Sequence, residues 1–432
     1  MAGTPAAEAS RVTAGLLALL QRLVLYPLSF LVRRRPGLWV FGAPQDAFSG
    51  NPKYLYLWMS EHRPDVRVVW LTGSARTQRL LREHGYACEL RWSAAGMVAA
   101  ATARYHVVSN DASDTSLAFS GGARLLNLWH GVGIKNILRG ARVGANAQLY
   151  ARLWRPDVYV RSMHRFRRPA LVVSTSPTMS EHFARCFDIP LDRCPQLGYP
   201  RLDPCLDEQF RTLCLSFGDY EGLRQLCAGR TVYLYTPTLR DDDEDLLHEA
   251  LPDLTALSEA LRPTDGLLLL KLHPATSPSG LVSDQLTALD NVLLWPDGLD
   301  LHPVLDRVDC LITDYSSLLY DYIAVAGRAA VIYAYDYDRY VAVDRDLAFP
   351  FDDNIVGQRV DTFEELCAVL RSGAALEELP AERLAALRSR FWGSPEPVSQ
   401  PASPGVAEFA LTWPGPRARR TPLARLRSAD VR

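Results

Sequence analysis

Residues 126–137 read Leu-Asn-Leu-Trp-His-Gly-Val-Gly-Ile-Lys-Asn-Ile, an apolar run that breaks into a glycine-rich turn beginning with a histidine. The run predicts a buried strand, and in an open α/β sheet ligands bind outside the carboxyl ends of the strands. We therefore predict that His130 faces a cleft, with Gly131 allowing close backbone approach and Lys135 supplying a positive charge. The alternative is a glycine turn that contains a buried, hydrogen-bonded histidine.

The rest of the chain alternates short apolar runs with helical stretches, a pattern typical of βαβ units and a parallel sheet. In the first half, strands are predicted at 38–41, 66–71, 105–109, 125–129 and 171–174, and helices at 76–84 and 94–103. After a turn-rich segment, strands are predicted at 231–235, 267–272, 292–295, 310–313 and 329–333, and helices at 246–261, 315–326 and 362–371. The sequence thus predicts an α/β protein with two Rossmann-like domains, residues 36–200 and 201–392.

Length and composition are those of an ordinary globular protein with two domains. The chain has 432 residues, of which 48% are hydrophobic, and its formal net charge is −2. This near-neutral charge argues against nucleic acid as a partner, because nucleic-acid-binding domains are usually strongly basic. The eight cysteines show no C-x-x-C pair and no histidines at zinc spacing. We expect them to be reduced residues of a cytosolic protein, and we predict no metal site.

The first residues of the chain predict an association with a membrane surface. Residues 13–32 are rich in leucine, and residues 33–35 are all arginine. A membrane span is disfavoured because Arg22 and Pro27 interrupt the run, and a central arginine costs about 2.5 kcal/mol or more. A signal peptide is disfavoured because no small-residue cleavage site follows. We expect residues 1–35 to form a helix in the membrane interface, its arginines facing anionic headgroups on the cytoplasmic side; the alternative is a helix packed on its own domain.

The end of the chain loses hydrophobic periodicity. Residues 393–405 are rich in proline and serine, and arginines dominate after residue 416. Such a composition buries little apolar surface, so residues 393–432 are predicted to be a disordered basic tail. This tail would either be solvated or contact phospholipid headgroups.

A second histidine follows a predicted strand in the second domain, where Lys271 and Leu272 lead into His273 and Pro274. Two histidines at strand ends of facing domains can flank one cleft. One would act as a general base, and the other would stabilise or protonate a phosphate leaving group. The ordinary histidine pKa of about 6.5 suits both tasks. The alternative for His273 is a hydrogen-bonded structural residue.

Two further polar turns leave predicted strands of the second domain. Ser316 and Ser317 follow Thr313 and Asp314 and fall at the start of a predicted helix. Free N–H groups there bind phosphate, but ordinary helix capping uses the same atoms, so both interpretations stay open. In the other turn, Arg240 follows Pro237 and Thr238 and is a candidate partner for a phosphate oxygen. The sequence has neither a GxGxxG motif nor a P-loop, so no cofactor is predicted.

In this order, these motifs resemble the CDP-glycerol glycerophosphotransferase family. Its members are membrane-associated enzymes that build or prime teichoic acids and related capsular polyol-phosphate polymers. The resemblance is carried by residues 38–42, 51–56, 128–131 with Lys135, 198–203, 235–241, 271–274, 309–317 with Asp321 and Tyr322, and 333–345.

The resemblance implies a GT-B-like pair of Rossmann-like domains with CDP-glycerol in the cleft. It implies that His130 takes the proton of an acceptor hydroxyl on a lipid-linked glycan or growing polymer at the cytoplasmic membrane surface. The hydroxyl attacks the phosphorus that bears the glycerol, and His273 helps CMP to leave, with no cofactor or metal. The substrate-binding residues implied are Gly131, Lys135, Pro237, Thr238, Arg240, Lys271, Thr313, Asp314, Ser316 and Ser317.

Two positions depart from the family pattern, and three rival functions stay open. The chain has Arg345-Asp346 where members usually carry Arg-Gly, and Val132-Gly133 where a proline is common. The second departure lies on the acceptor side of the expected site. The rivals are a CDP-ribitol-dependent transferase, a nucleotide-sugar glycosyltransferase on the same fold, and a non-catalytic assembly subunit. The pair of histidines favours attack on phosphorus.

Overall fold

The computed structural model describes residues 15–240, 246–272 and 280–415. Its first sheet consists of strands β1 to β6: Arg35–Phe41, Arg67–Thr72, Cys88–Leu90, Ala103–Val108, Arg124–Asn127 and Leu171–Val172. Its second sheet consists of strands β7 to β12: Thr231–Thr236, Gly266–Leu270, Val292–Leu294, Cys310–Thr313, Ala329–Tyr333 and Gln358–Val360.

Both sheets are parallel and share one topology. The strand orders are β3-β2-β1-β4-β5-β6 and β12-β11-β10-β7-β8-β9, so each sheet has the 3-2-1-4-5-6 order of a Rossmann fold. This confirms the predicted α/β class with two parallel-sheet domains. The order reverses direction between β1 and β4 in the first sheet and between β7 and β10 in the second. Ligands of such sheets bind at these switch points, beyond the carboxyl ends of the strands.

The helices lie between the strands and cover the sheets. Helices of the first half are Gly50–His62, Ala75–Glu83, Ala94–Thr102, Gly144–Ala151, Pro156–Arg161, Met163–Phe166, Pro177–Phe187, Asp203–Leu206, Glu208–Leu215 and Tyr220–Cys227. Those of the second half are Leu246–Ala250, Leu254–Leu261, Gly280–Thr287, Leu318–Val325, Tyr337–Val343, Phe363–Ser372, Ala381–Trp392 and Ala402–Thr412. The single helix predicted at 246–261 is two helices, and the one predicted at 315–326 begins at Leu318.

The strands are apolar because helices cover both faces of each sheet. In β8 the four leucines after Gly266 are all buried. Burial of each such side chain contributes roughly 1.5–3 kcal/mol. One buried cluster extends from Trp39 in β1 to Leu311 in β10 and Tyr320 in the following helix, so the core is continuous between the domains.

The amino-terminal segment is helical from residue 15 to residue 29 and leaves many apolar side chains exposed. We call this set the N-terminal apolar surface: Leu16, Leu17, Leu19, Leu20, Leu23, Val24, Leu28, Phe30, Leu31 and Val32. Within residues 15–240, 246–272 and 280–415, no helix has both the length and the apolar composition needed to cross a bilayer.

The expectation that all three arginines after this helix face headgroups is wrong for Arg34. Its guanidinium donates to the carbonyl oxygens of Ser29 (3.0 Å), Ala100 (3.0 Å) and Phe119 (3.1 Å). The carbonyl group of Ser29 is at the end of this helix, where carbonyl groups lack intrahelical partners. By binding it together with the carbonyl groups of Ala100 and Phe119, Arg34 connects the end of the helix to the first domain. Arg33 and Arg35 are exposed.

The prediction of a disordered tail from residue 393 is wrong for its first part. Helix Ala402–Thr412 buries Val406, Ala407 and Ala410 against the first domain. The Asp203 carboxylate accepts hydrogen bonds from the backbone N–H groups of Ala402 and Ser403, where a negative charge stabilises a helix start. The sequence did not predict this helix, because its short apolar stripe follows a segment rich in proline and serine. The basic residues 416–432 lie outside the described residues.

Candidate active site at the domain interface

The His130 ring is exposed at the carboxyl end of β5 and rests on Trp129, with ring centroids 4.0 Å apart. Its Nδ1 lies 2.9 Å from the carbonyl oxygen of Ser109, which follows β4. A carbonyl oxygen only accepts hydrogen bonds, so we assign the proton of the neutral ring to Nδ1 and its basic lone pair to Nε2. This is the tautomer that a general base requires when it acts through Nε2.

The turn that carries His130 is strained and is held by hydrogen bonds from distant residues. Trp129 has φ = 53°, a left-handed conformation that is rare for a bulky residue. The Asn51 side-chain amide donates to the carbonyl oxygens of Leu128 (3.1 Å) and Trp129 (2.9 Å). Arg201 Nη1 donates to the carbonyl oxygen of His130 (2.7 Å). Backbone strain of this kind persists only where the surroundings fix it, and it is concentrated at functional sites.

Gly131 is a point of close approach between the two domains at the site. Its φ is 152°, and a Cβ atom built on it would lie 2.6 Å from Ser317 Oγ of the second domain. Ser317 immediately precedes helix Leu318–Val325, and Ser316 Oγ accepts a hydrogen bond from Leu318 N (3.3 Å). The His130 turn therefore faces the positive end of this helix, whose dipole favours an anion.

Asp314 organises the neighbouring loop of the second domain. Its carboxylate accepts hydrogen bonds from Thr238 N (3.0 Å) and Thr238 Oγ1 (2.7 Å) and is 3.0 Å from Arg240 Nη2. The loops after β7 and β10 are thereby joined at the switch point of the second sheet. Asp314 is buried, so it stabilises the loop from the protein interior.

Arg240 is also a supporting residue in this structure. Its guanidinium makes a bidentate pair with Asp336 (2.7 and 2.8 Å) and donates to the carbonyl oxygen of Thr238 (2.5 Å). Burial opposes its charge, but Asp336 and Asp314 together raise the pKa of Arg240 above its ordinary value. These bonds use most of its donors, so direct binding of a phosphate oxygen by Arg240 stays a prediction.

Two lysines bring positive charge to the same region. Lys135 Nζ lies 5.6 Å from the centroid of the Tyr340 ring, and burial lowers the pKa of Lys135 to about 8. Asp314 opposes that shift, while Arg240 adds to it. Burial also lowers the pKa of Lys271, which follows β8. An anion that binds beside such a buried lysine favours its charged form and raises its pKa again.

Asp346, which departs from the family pattern, ties the loop after Lys135 to the second domain. Its carboxylate accepts hydrogen bonds from Asn136 Nδ2 (2.6 Å) and from Arg142 N (2.8 Å). A glycine at this position would supply neither bond. Asp346 therefore strengthens the contact between the two domains beside the His130 turn.

The structure brings together only some of the residues predicted for the site. Those at the interface or in the loops that form it are His130, Gly131, Lys135, Thr238, Asp314, Ser316 and Ser317. Thr313 and Pro237 are buried at the sheet end, and Lys271 is half-buried on the neighbouring strand end. His273 lies outside the described residues, so its role stays a prediction.

Sequence reasoning missed Asn51, Arg201 and Asp336 as individual site residues. Their segments contributed only to the family resemblance, because no local pattern reveals a side chain that bonds to a distant turn. Among the residues that the structure describes, no three His, Cys, Asp or Glu side chains are grouped to hold a metal ion. All eight cysteines lie within the described ranges, and none forms a disulfide.

The fold and the site together define a two-domain protein of the GT-B-like class, with a polar interface between the ends of its two parallel sheets. A histidine loop of one sheet faces a helix start and a charged loop of the other. The model of the CDP-Glycerol:Poly(glycerophosphate) glycerophosphotransferase family matches residues 24–394. The chain belongs to this family.

Individual relatives are distant. The chain is 25% identical over 335 residues to the teichoic acid glycerol-phosphate transferase of Staphylococcus aureus, covering 75% of this chain and 80% of the relative. It is 25% identical over 358 residues to the teichoic acid poly(glycerol phosphate) polymerase of Staphylococcus epidermidis, covering 80% of this chain but only 46% of the relative. The teichoic acid ribitol-phosphate primase of Bacillus spizizenii is 30% identical over 188 residues, 43% of this chain and 46% of the relative.

A solved structure shares the fold. The wall teichoic acid polymerase TagF superposes with a TM-score of 0.66 at 21% identity, covering 93% of this chain and 95% of that chain. The superposition includes both domains of this chain.

Proposed function

We propose that this protein transfers glycerol phosphate from CDP-glycerol to a hydroxyl group of a growing teichoic acid or a lipid-linked glycan and releases CMP. The observation that carries the proposal is the placement of the His130 turn against the Ser317 end of helix Leu318–Val325. A base on one domain and an anion-binding helix start on the other are what attack on a phosphate requires.

In this mechanism the Nε2 lone pair of His130 takes the proton of the acceptor hydroxyl as its oxygen attacks phosphorus. The new P–O bond to the acceptor forms, the P–O bond to CMP breaks, and the electron pair leaves with CMP. The helix start at Ser317 and the ammonium group of Lys135 stabilise the negative charge on the phosphate oxygens. His273 is expected to assist the departing phosphate. The protein supplies positioning and charge, as in other phosphoryl transfers.

A donor panel tests the proposed substrate. Purified protein is given CDP-glycerol, CDP-ribitol and UDP-N-acetylglucosamine in turn, with isolated bacterial membranes as the acceptor, and nucleotide release is measured. We expect release from CDP-glycerol to exceed release from the other two donors by at least about tenfold, the low end of the discrimination that a fitted pocket makes against one additional methylene group, because ribitol and the sugar are both larger than glycerol. CDP-ribitol is the second candidate, because curated relatives include ribitol-phosphate polymerases and a primase. Preference for the UDP-sugar would overturn the proposal.

The lowered pKa of Lys135 predicts how donor binding depends on pH. Lys135 carries its charge below pH about 8 and loses it above. The KM for CDP-glycerol should therefore be flat from pH 6 to 7.5 and then rise, by up to about tenfold per pH unit, the limit for one proton. In Lys135→Gln the KM should be high at pH 7 and constant up to pH 9. A wild-type KM that does not change between pH 7 and 9 would contradict this role.

We further propose that the protein binds the cytoplasmic membrane surface through the N-terminal apolar surface. Exposed apolar patches of this extent on a soluble protein mark an interaction site. The neighbouring helices add exposed Trp154 and Tyr159 and a group of exposed arginines: Arg152, Arg155, Arg161, Arg165 and Arg168. Arg167 lies 5.9 Å from the Tyr26 ring and joins the two regions. Apolar and cationic side chains in neighbouring segments suit an interface rich in anionic lipid.

Sedimentation with phosphatidylglycerol vesicles tests this localisation. Changing Leu16, Leu20 and Leu23 together to Glu should lower vesicle binding by about tenfold or more, because three exposed leucines that would enter the lipid interface are replaced by carboxylates that anionic headgroups repel. The matched control changes Leu191 and Leu294 to Glu, which are exposed apolar residues elsewhere on the molecule. Equal vesicle binding by the triple variant and the wild type would refute the proposed surface.

A further inference from the structure

A chain of buried ionisable side chains runs between the domains directly behind the His130 turn. The first domain and its junction supply two cations, and the second domain supplies two carboxylates and a histidine. In spatial order its members are Lys53, Asp300, His302, Asp321 and Arg201. We call this set the interdomain charge chain.

Each link of the chain is within ion-pair distance. Lys53 Nζ is 3.2 Å from Asp300 Oδ2, and Asp300 Oδ1 is 3.0 Å from His302 Nδ1. His302 Nε2 is 3.5 Å from Asp321 Oδ2, which is 2.5 Å from Arg201 Nη2. The other terminal nitrogen of Arg201 donates to the carbonyl oxygen of His130.

The members are buried, with side-chain exposures from 1% for Asp321 to 15% for His302. Burial opposes both carboxylate charges, yet Lys53 holds the pKa of Asp300 well below its ordinary range, and Arg201 lowers that of Asp321. Buried ion pairs add little net stability, because desolvation offsets their attraction. Their best-attested use is to fix one arrangement among several, which here is the arrangement of the two domains around the turn.

The chain connects to the turn by two routes through the junction segment. Arg201 Nη1 binds the carbonyl oxygen of His130, and Arg201 N donates to Asn51 Oδ1 (3.1 Å). Asn51 in turn binds the two carbonyl oxygens that precede His130. All three consecutive carbonyls of the strained turn are thus held by Asn51 or Arg201. Asp321, on helix Leu318–Val325, is the second-domain group that holds the Arg201 guanidinium.

We propose that the interdomain charge chain is a positioning network that joins the two domains behind the His130 turn and thereby places His130 for proton transfer. The inference rests on the proposed function, because the placement of His130 affects the reaction only if His130 acts as the base. Asp321 holds the Arg201 guanidinium, and Arg201 fixes the turn. None of the five side chains is a catalytic residue, because they act through the backbone of residues 128–130.

The test compares Asp321→Asn with Asp306→Asn. Asp306 pairs with Arg211, whose side chain is 6% exposed, as is that of Arg201, but this pair does not touch the His130 turn. Two quantities are measured on the full chain: steady-state CMP release, and hydrogen exchange of backbone amides in residues 126–133 by mass spectrometry.

In Asp321→Asn we expect kcat to fall about 100-fold, the cost of misplacing a catalytic group by about 1 Å. The KM for CDP-glycerol should stay within about twofold, because ground-state binding is untouched. Exchange in residues 126–133 should rise about tenfold or more as the turn loosens. Asp306→Asn should change neither quantity. Equal effects of both variants, or normal exchange with normal kcat in Asp321→Asn, would overturn the proposal.

Arg201→Lys provides a second variant if Asp321→Asn does not fold. One ammonium group cannot replace the separate bonds to Asp321 and His130, so the same loss of kcat and protection is expected. Hydrogen exchange also separates the two proposals. If wild type releases no CMP but Asp321→Asn alone loosens the turn, the proposed function fails and the positioning role stands.

Discussion

Replacing His130 by alanine is expected to lower CMP release from CDP-glycerol by about 10³-fold, within the 10²–10⁴-fold range of general base catalysis. The expected loss falls on kcat, because the ring is exposed at the end of β5 and the turn is held through its backbone. The acceptor hydroxyl then loses the base that we propose takes its proton as it attacks phosphorus. Initial-rate measurements at saturating donor give the comparison.

The matched control for this variant is His62→Ala. His62 is also exposed, and it stacks on Trp58 at the end of helix Gly50–His62, away from the interface. Its loss should leave CMP release within about twofold of wild type. A His130→Ala protein that is folded and releases CMP at the wild-type rate would remove the base from the mechanism.

Changing Arg240 to Gln is expected to lower the free energy of unfolding by about 3–5 kcal/mol, the cost of breaking a buried ion pair on one side. Asp314 and Asp336 would stay buried without their shared cation. Natural domains have only about 5–15 kcal/mol of stability, so the change in a urea or thermal unfolding midpoint should be large. The loops after β7 and β10 would keep the bonds of Thr238 to Asp314 but lose the links through Arg240, so donor binding should weaken.

The destabilisation of the Arg240 variant should depend on pH in a defined direction. In wild type, Arg240 opposes burial and keeps the pKa of Asp336 below its ordinary value. Without Arg240, burial still raises the pKa of Asp336 while only Tyr315 and Arg339 lower it, so the pKa of Asp336 is higher in the folded variant than in folded wild type. The variant should therefore be less destabilised at pH 5 than at pH 8. Arg224→Gln, which breaks the exposed pair with Glu221, should leave the midpoint unchanged at both pH values.

The fold was predictable because both sheets are buried on both faces. Apolar runs such as the leucines of β8 predicted buried strands, and the alternation of such runs with helices predicted parallel sheets. The two strands missed, Cys88–Leu90 and Gln358–Val360, are three-residue strands at sheet edges. Half-covered edge strands carry polar residues, so they lack the apolar run by which the others were found.

The site was predictable where a strand end alone places a residue. His130 and Ser317 come shortly after strand ends, and parallel strands deliver both to the interface. Arg240 could not be assigned in this way, because its burial between two carboxylates is a tertiary property. The same holds for Asn51 and Arg201, which reach His130 from segments 79 positions before it and 71 after it in the chain. Helix Ala402–Thr412 was not predicted, because the composition of its segment is typical of disorder. Its order depends on tertiary contacts, namely the bond to Asp203 and the packing against the first domain.

The decisive experiment identifies the nucleotide released from CDP-glycerol that carries ³²P at the phosphate next to glycerol. Attack on that phosphorus breaks the bond between the two phosphates. We therefore predict unlabelled CMP, with the ³²P transferred to the polymer together with glycerol in equal amounts. Release of labelled CDP, with no ³²P in the polymer, would show attack on carbon and would contradict the proposed roles of His130 and of the helix start at Ser317.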